Sequence, residues 1–304
     1  MNKIRVGAVI SESVNFSFRK YLPLLGVLWL PMLISLLFTY FVMLPHFLAV
    51  AAGAGGLRPA PSPLAVLAMD SVHLALLAVM SVGVTKEVLG LREGPRFVYL
   101  SVGVTELRVF GGYILLALIS LVLVIALAII LGFVVAMVSK SATGADPAAI
   151  FRMRAMIVPF ATVGVLLSIL YFLIRLSSFQ SAVAVAEHRF GLWRSWALSR
   201  GNFWRLFAIV MAIGIPLMVL YVIALAFMMG PAFTKLIAAV PAGPVALRAA
   251  QREMMLSAMS NFKYGVLIGL PVAPVLYGLV IAPAAFAYRA LVPSARTDAA
   301  AVFE

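Results

Sequence analysis

Long apolar runs, separated by short polar and basic segments, follow one another along the whole chain. A bilayer core of roughly 30 Å requires about 20 helical residues at about 1.5 Å per residue. Runs of that length predict six transmembrane helices, at about residues 21–44, 64–84, 109–138, 156–177, 206–229 and 264–288. We therefore expect an all-α integral membrane bundle, one transmembrane domain over residues 1–304, with amphipathic helices at the membrane surface.

The composition indicates the same class of protein. Hydrophobic residues make up 64% of the 304 residues and charged residues only 11%, whereas soluble domains are nearer half apolar and a quarter charged. A single water-soluble core of this length would not bury so much apolar surface. The first run, from Tyr21, is longer than the apolar core of a secretory signal, so we expect an uncleaved first span.

The net charge of +13, from 23 basic and 10 acidic residues, is strongly positive. In a soluble protein this balance would favour a nucleic-acid partner. Here most of the Lys and Arg residues flank one set of span ends, as the positive-inside rule describes for cytoplasmic loops. We therefore expect no nucleic-acid partner, and we place that side and both termini in the cytoplasm.

A segment with a basic residue at the membrane boundary precedes each odd-numbered span. These lead-in segments end in FSFRKY at 16–21, TELRVF at 105–110 and NFWRLF at 202–207. Their apolar residues recur at helical spacing, which predicts helices in the headgroup plane with an apolar stripe facing the bilayer. In the first two lead-ins the stripe consists of Val6, Ile10, Val14 and Phe18, and of Phe97, Leu100, Val104 and Leu107. The recurrence predicts three related helical hairpins.

The lead-in segments supply the candidate contacts to lipid or to a membrane partner. These candidates are Arg19, Lys20, Arg108, Trp193, Arg194, Trp196, Arg200, Trp204 and Arg205. Tryptophan and basic residues at this depth are typical of simple membrane anchoring. The same chemistry also suits binding of anionic headgroups or of a phosphate-bearing ligand. In the third lead-in, Gly201 and Asn202 predict a break between two helices.

Two ionisable residues lie inside the second predicted span. Asp70 and His73 are three residues apart, so both lie on one helix face. One interpretation is a hydrogen-bonded pair that holds helices in register, with Ser or Thr hydroxyls from a neighbouring helix. The other is a proton relay or cation site of a small-solute or lipid transporter, in which a sixth span kinked at Pro271, Pro274 and Pro283 would take part.

The segment from 230 to 262 is too long to lack secondary structure in a compact protein. Its part from 244 to 259 predicts an amphipathic helix that starts at Pro244. Arg248 and Arg252 form the polar side, and Leu247, Met254, Met255 and Met259 form the apolar side.

The stretch IRLSSFQSAVAVAEHRFGLWRSWALSRGNFWRLFAI resembles bacterial membrane proteins related to the glycerophosphoryl diester phosphodiesterase membrane domain. The matching positions are Arg175, Glu187, Gly191, Ser199, Gly201, Asn202 and Trp204, and the opening VGAVISESVNFSFRKYLPLL is also similar. The resemblance implies a bacterial inner-membrane protein. Some members have a separate soluble phosphodiesterase domain, which is not found in this sequence, so that activity is not implied. Arg175 and Glu187, with Arg200, are expected to form a structural charge cluster.

Residues for catalysis or for cofactor binding are few. The chain has no cysteine, and its three histidines, His46, His73 and His188, do not have the spacing of a metal site. No phosphate-binding glycine loop or nucleophile elbow is present. We therefore expect a non-enzymatic protein without metal or cofactor, and a membrane-embedded lipid enzyme is the third alternative after the transporter.

Overall fold

The computed structural model describes residues 3–43, 63–92, 101–141, 147–240 and 243–292. Within these residues the secondary structure is helical, without strands. The helices are α1 (Val6–Arg19), α2 (Tyr21–Phe38, continued by a π-helical turn at Thr39–Met43), α3 (Pro63–Leu89), α4 (Val104–Ser141), α5 (Pro147–Ser177), α6 (Gln180–Ala186), α7 (Leu192–Leu198), α8 (Phe203–Met229), α9 (Pro231–Ala239) and α10 (Pro244–Leu291).

Within the described part of the chain, six segments are long and apolar enough to cross a membrane. They are Tyr21–Val42, Val66–Leu89, Val104–Phe133, Thr162–Ala186, Phe203–Phe227 and Val266–Leu291. In a bilayer, helices satisfy every backbone hydrogen bond internally, which explains why the apolar runs adopt this structure. The predicted all-α membrane bundle is thus confirmed, and the chain is a multi-pass membrane protein.

The second predicted span ends at residue 84, but α3 continues to Leu89. The extra turn includes Lys86 and Glu87, and both charges are paired: Lys86 lies 3.3 Å from Glu106 and Glu87 lies 3.4 Å from Arg92. The helix then ends at Gly90, whose φ of 71° is in the left-handed region. This glycine closes α3 because residues with a Cβ rarely adopt that conformation.

The helix α10 is the central packing element, in contact with α1, α2, α3, α8 and α9. Its predicted start at Pro244 is confirmed. The predicted interruption between residues 259 and 264 is absent, and one helix continues to Leu291. Residues 260–263 include neither glycine nor proline, so nothing in that stretch ends a helix. The helix also continues through Pro271, Pro274 and Pro283.

The first helix packs on the bundle through a face that includes only part of the predicted stripe, because Val6 and Ile10 are partly buried against the core. Its buried residues are Val9, Ser13, Phe16 and Ser17, whereas Val14 and Phe18 of the stripe are exposed. Small hydroxyl residues permit close helix packing within a membrane, while apolar side chains are equally stable in lipid. In the second lead-in, Phe97 and Leu100 lie outside the described residues, and Val104 and Leu107 are exposed.

Two contacts attach α1 to the last turns of α10. The rings of Phe16 and Phe286 meet edge to face with centroids 5.7 Å apart. Arg289 donates a hydrogen bond to Glu12 at 3.0 Å. The amino-terminal helix is therefore held by the carboxyl-terminal end of the longest described helix.

The buried core lies toward one end of the bundle. Fully buried side chains there include Leu24, Leu28, Val82, Val109 and Phe179. By contrast, the most apolar stretch of α4 has no buried residue, and side chains such as Leu118 and Ile129 are exposed. Large apolar side chains that the protein does not cover are those that contact lipid.

Candidate functional site

The helix ends near the basic lead-in segments meet at one end of the bundle. Lys20, before α2, lies 3.7 Å from Glu87 in the last turn of α3. Lys86 of that same turn lies 3.3 Å from Glu106 in the first turn of α4. This end of the bundle is termed the basic end, and it includes the lead-in anchors Arg19, Arg108 and Arg205.

The third lead-in belongs to the same end. The backbone N–H of Ile4 donates to Asn202 Oδ1 at 3.3 Å, which joins the start of α1 to the start of α8. Asn202 is buried and follows Gly201, whose φ is 78°. The helix break predicted at these two residues is therefore present, and it positions α7 and α8 at the basic end.

Each acidic residue described at the basic end has a cationic partner. The pairs are Glu12 with Arg289, Glu87 with Lys20 and Arg92, Glu106 with Lys86, and Glu187 with Arg189 and Arg194. Glu106 also accepts a hydrogen bond from the backbone N–H of Gly103 at 3.1 Å, and this caps the first turn of α4. These acids consequently leave the remaining cations of this end unneutralised.

Glu187 connects the loop after α6 to α10. Its Oε1 accepts hydrogen bonds from Tyr288 at 2.9 Å and from Arg194 at 3.2 Å, and Arg189 contacts Oε2. Burial raises the pKa of Glu187, but the hydrogen bonds from Tyr288, Arg189 and Arg194 together with the positive charge of Arg194 lower this pKa more. The net pKa is therefore below its ordinary value, and the ionised carboxylate is the form that the fold stabilises.

Several cations of the basic end have no acidic partner within the described residues. Arg5, Arg19 and Arg200 are exposed, and Arg108 is partly exposed. Arg205 donates to Asn202 Oδ1 at 3.2 Å, and that acceptor is uncharged. The predicted contact residues Arg19, Arg108, Arg200 and Arg205 are thus on one end of the bundle with their charge unbalanced.

Large apolar side chains stand exposed beside these cations. Trp193 is 82% exposed, Trp204 74% and Phe18 62%. Tryptophan prefers the headgroup depth of a bilayer, because its ring is apolar and its N–H is polar. The four arginines without an acidic partner among the described residues and the three exposed aromatic residues are together termed the basic aromatic surface: Arg19, Arg108, Arg200, Arg205, Phe18, Trp193 and Trp204.

Arg175 and Trp196 form a structural clamp and are not part of this surface. Arg175 is buried, its guanidinium carbon lies 3.6 Å from the centre of the Trp196 ring, and it donates to the Trp196 carbonyl at 3.1 Å. Further donations reach Tyr171 at 2.8 Å and Ser199 at 3.2 Å. Arg175 and Glu187 therefore have separate partners, and the cluster expected between them does not form.

Arg194, another predicted contact residue, is also engaged within the protein. It pairs with Glu187. Lys20 lies at 3.7 Å from Glu87, although its side chain remains 55% exposed. Arg194 and Lys20 are therefore partly neutralised by acids of the protein, and their charges are less available to an external ligand than the sequence indicates.

Buried serine and glutamine side chains also hold the basic end together, and the sequence analysis missed them. Ser195 accepts from the Phe179 N–H at 3.1 Å and donates to the Arg175 carbonyl at 2.9 Å. Gln180 donates to the Val109 carbonyl at 2.9 Å, which joins α6 to α4. The signal that would have found the serines is a spacing of four between small residues, which occurs in Ser13 and Ser17, Ser177 and Ser181, and Ser195 and Ser199.

Asp70 and His73 have different surroundings on α3. The His73 Nε2 atom lies 3.4 Å from Ser35 Oγ and 3.3 Å from Thr39 Oγ1, so His73 joins α3 to α2. Asp70 is exposed and has no bonding partner in the part of the chain that the structure describes. Two cavities, of about 390 and 310 Å³, are lined by neither residue. His73 thus contacts hydroxyl groups of a neighbouring helix, but the expected pair with Asp70 is not formed.

No protein-family model, curated protein or solved structure matches the chain. The resemblance to proteins related to the glycerophosphoryl diester phosphodiesterase membrane domain therefore stays a prediction.

Proposed function

We propose that this chain is a non-enzymatic protein of a bacterial inner membrane that binds anionic phospholipid headgroups through its basic aromatic surface, with the basic end and both termini in the cytoplasm. The observation that supports this proposal is the unbalanced charge of that end. Its described acids are paired, whereas Arg5, Arg19, Arg108 and Arg200 have no acid among the described residues.

The exposed aromatic residues support headgroup binding at a defined depth. The protein leaves three large aromatic side chains exposed, those of Phe18, Trp193 and Trp204. Exposed aromatic side chains of this kind are typical of the interfacial layer of a bilayer. A guanidinium beside them would then lie at the level of the lipid phosphates, to which it can donate two parallel hydrogen bonds. Each such residue near an anionic surface contributes on the order of 1 kcal/mol.

The test is the retention of lipid by the detergent-purified full chain in native mass spectrometry. The probes are phosphatidylglycerol, which is anionic, and phosphatidylcholine of the same acyl chains, which is zwitterionic. The test variant is Arg19→Gln with Arg200→Gln, two exposed cations at the basic end. The matched control is Arg248→Gln with Arg252→Gln, because these are two exposed cations at the opposite end of α10.

We expect the wild-type chain and the control to retain phosphatidylglycerol preferentially. The Arg19 and Arg200 variant is expected to reduce that preference by about thirty-fold, since two contacts of about 1 kcal/mol each are removed. Equal retention of the two lipids by the wild-type chain would overturn the proposal. An equal loss of preference in both variants would show that net charge alone decides retention, and would also overturn it.

A further inference from the structure

A cavity of about 390 Å³ lies between α3, α4, α8, α10 and the junction of α5 and α6. Its volume is in the range of sites that hold small ligands, about 300 to 1,000 Å³. The helices around it belong to segments long enough to span a membrane. The cavity is therefore enclosed by spanning helices, and none of its lining residues belongs to the basic aromatic surface.

The lining of this cavity combines hydroxyl groups with hydrocarbon, and it includes no charged side chain. The hydroxyl groups belong to Ser81, Tyr113, Ser177, Ser178 and Ser181. The other lining residues are apolar, such as Leu206, Ile209, Ile213 and Leu279. A ligand suited to this lining has one uncharged polar group and a hydrocarbon part.

The hydrogen bonds of the hydroxyl groups show which polar group fits. Tyr113 donates to Ser81 Oγ at 2.8 Å, and Ser177 donates to the Leu173 carbonyl at 2.7 Å. Ser178, in the turn after α5, donates to the Ile174 carbonyl. The hydrogens of Tyr113, Ser177 and Ser178 are thus used within the protein, while lone pairs of their oxygens remain as acceptors. Such a lining favours a ligand that donates a hydrogen bond, as an alcohol does.

Two of the five hydroxyl groups, those of Ser81 and Tyr113, lie at a depth that disfavours a phosphate beside them, whereas the other three line the junction of α5 and α6. Ser81 lies eight residues before the end of α3 at Leu89, and Tyr113 lies nine residues after the start of α4 at Val104. At about 1.5 Å per residue, both are about 12 to 14 Å inside their helix ends. An anion at that depth, without a cation in the lining, would lose its hydration without compensation.

The side of the cavity offers a path from the bilayer. Val210 and Val280 line it and are themselves 40% and 62% exposed. Exposed apolar residues of membrane helices contact lipid. A lipid in the surrounding bilayer consequently has access to the cavity without crossing the basic end.

We propose that this cavity binds an uncharged membrane lipid whose polar group is a free hydroxyl. The hydroxyl donates to the oxygens of the serine and tyrosine side chains, and the hydrocarbon chain packs against Ile209, Ile213 and Leu279. A diacylglycerol and a long-chain polyprenyl alcohol share this chemistry. This site is additional to the headgroup surface proposed above and does not depend on it.

The test compares capped and uncapped lipids on the detergent-purified full chain by native mass spectrometry. The probes are a dioleoylglycerol, a polyprenyl alcohol and the methyl ether of each, which removes the hydroxyl hydrogen. We expect one or both alcohols to be retained about ten-fold better than the corresponding ether, because the ether cannot donate to the cavity. Retention of the dioleoylglycerol alone, or of the polyprenyl alcohol alone, identifies the source and supports the proposal.

Variants locate the binding. Gly214→Leu fills the cavity from α8, and an added Cβ there meets no atom within 4 Å, so the fold should tolerate the change. We expect this variant and Tyr113→Phe to lose retention of the alcohol, whereas Tyr221→Phe, an exposed tyrosine of α8 outside the cavity, should not.

Equal retention of alcohol and ether by the wild-type chain, or undiminished retention of the alcohol by Gly214→Leu, would overturn the proposal. Phosphatidylglycerol retention distinguishes the two proposals, because it should respond to Arg19→Gln with Arg200→Gln and should not respond to Gly214→Leu. If Gly214→Leu instead abolished phosphatidylglycerol retention, the cavity would hold an anionic lipid and the assignment to an uncharged one would be wrong.

Discussion

The contact between Gly112 of α4 and Gln180 of α6 leaves no room for a methyl group. A Cβ added at Gly112 would lie 1.9 Å from Gln180 Nε2 and 2.7 Å from its Cδ. Gln180 is 1% exposed, and its Nε2 donates to the Val109 carbonyl at 2.9 Å. Gly112→Ala therefore displaces a buried side chain and breaks the hydrogen bond that joins the two helices.

The expected loss of stability follows from three contributions. A buried amide left without its partner costs about 1 to 3 kcal/mol, and crowding in a packed interior costs a similar amount, about 1 to 3 kcal/mol. Replacing glycine by alanine within a helix restores about 0.5 to 1 kcal/mol. We expect Gly112→Ala to lower the free energy of unfolding by about 3 kcal/mol.

The assay is reversible unfolding of the purified chain in mixed micelles, by titration with a denaturing detergent and detection by circular dichroism. Gly132→Ala is the matched control, because Gly132 lies on α4 as well and an added Cβ there meets no atom within 4 Å. In the double variant Gly112→Ala with Gln180→Ala, the shorter side chain should remove the crowding, so the two losses should not add. Equal stability of Gly112→Ala and Gly132→Ala would refute the tight contact.

Three further predictions use the same unfolding assay. Arg175→Lys keeps the charge but loses the planar stacking and most of the hydrogen bonds, so we expect the free energy of unfolding to fall by about 2 kcal/mol. The control Arg200→Lys, at an exposed position, should change it little. Equal effects of the two variants would contradict a structural role for Arg175. The fold lowers the pKa of Glu187, so its carboxylate stabilises the folded state. That contribution should be complete at pH values above the unfolded-state pKa and should be lost as the pH falls through the folded-state pKa. Glu187→Gln should therefore make stability less sensitive to acid, and an unchanged dependence of stability on pH would exclude this role. Gly278→Ala places a Cβ 2.6 Å from the Ser17 hydroxyl of α1 and should lower the free energy of unfolding. Gly269→Ala, where an added Cβ meets no atom within 4 Å, should not. An unchanged stability of Gly278→Ala would mean that α1 packs loosely on α10.

The spans could be predicted from the sequence because the bilayer imposes a length and a lack of charge on each of them. The break at Gly201 and the helix start at Pro244 could be predicted too, since both depend on the conformation of one residue. The extension of α3 to Leu89 could not. It depends on the pairing of Lys86 with Glu106, and the sequence does not show that these residues meet.

The packing faces were harder to predict, for a physical reason. In water, the apolar stripe of a helix identifies its buried face. In a bilayer, lipid solvates apolar side chains as well as the protein does, so that rule does not apply. Ser13 and Ser17 therefore pack against the bundle, while Val14 and Phe18 remain exposed.

The positions of the charged residues could be predicted from the sequence, but their partners could not. That Arg19, Arg108 and Arg205 would share one end followed from their positions before the odd-numbered spans. The separation of Arg175 from Glu187 did not follow from the sequence, because it depends on the turn after α5 and on the helix α6 that lies between the two residues. Similarly, the bond from Tyr288 to Glu187 joins residues 101 positions apart, and no local pattern indicates it.

The attachment of α1 to α10 has a consequence for the order of assembly during synthesis. Glu12 is translated 277 residues before its partner Arg289. The first helix therefore leaves the ribosome long before the surface that covers its serines exists. Until the last span has been inserted, α1 lacks its contacts with Phe286 and Arg289, and its attachment to the start of α8 is the bond from Ile4 to Asn202.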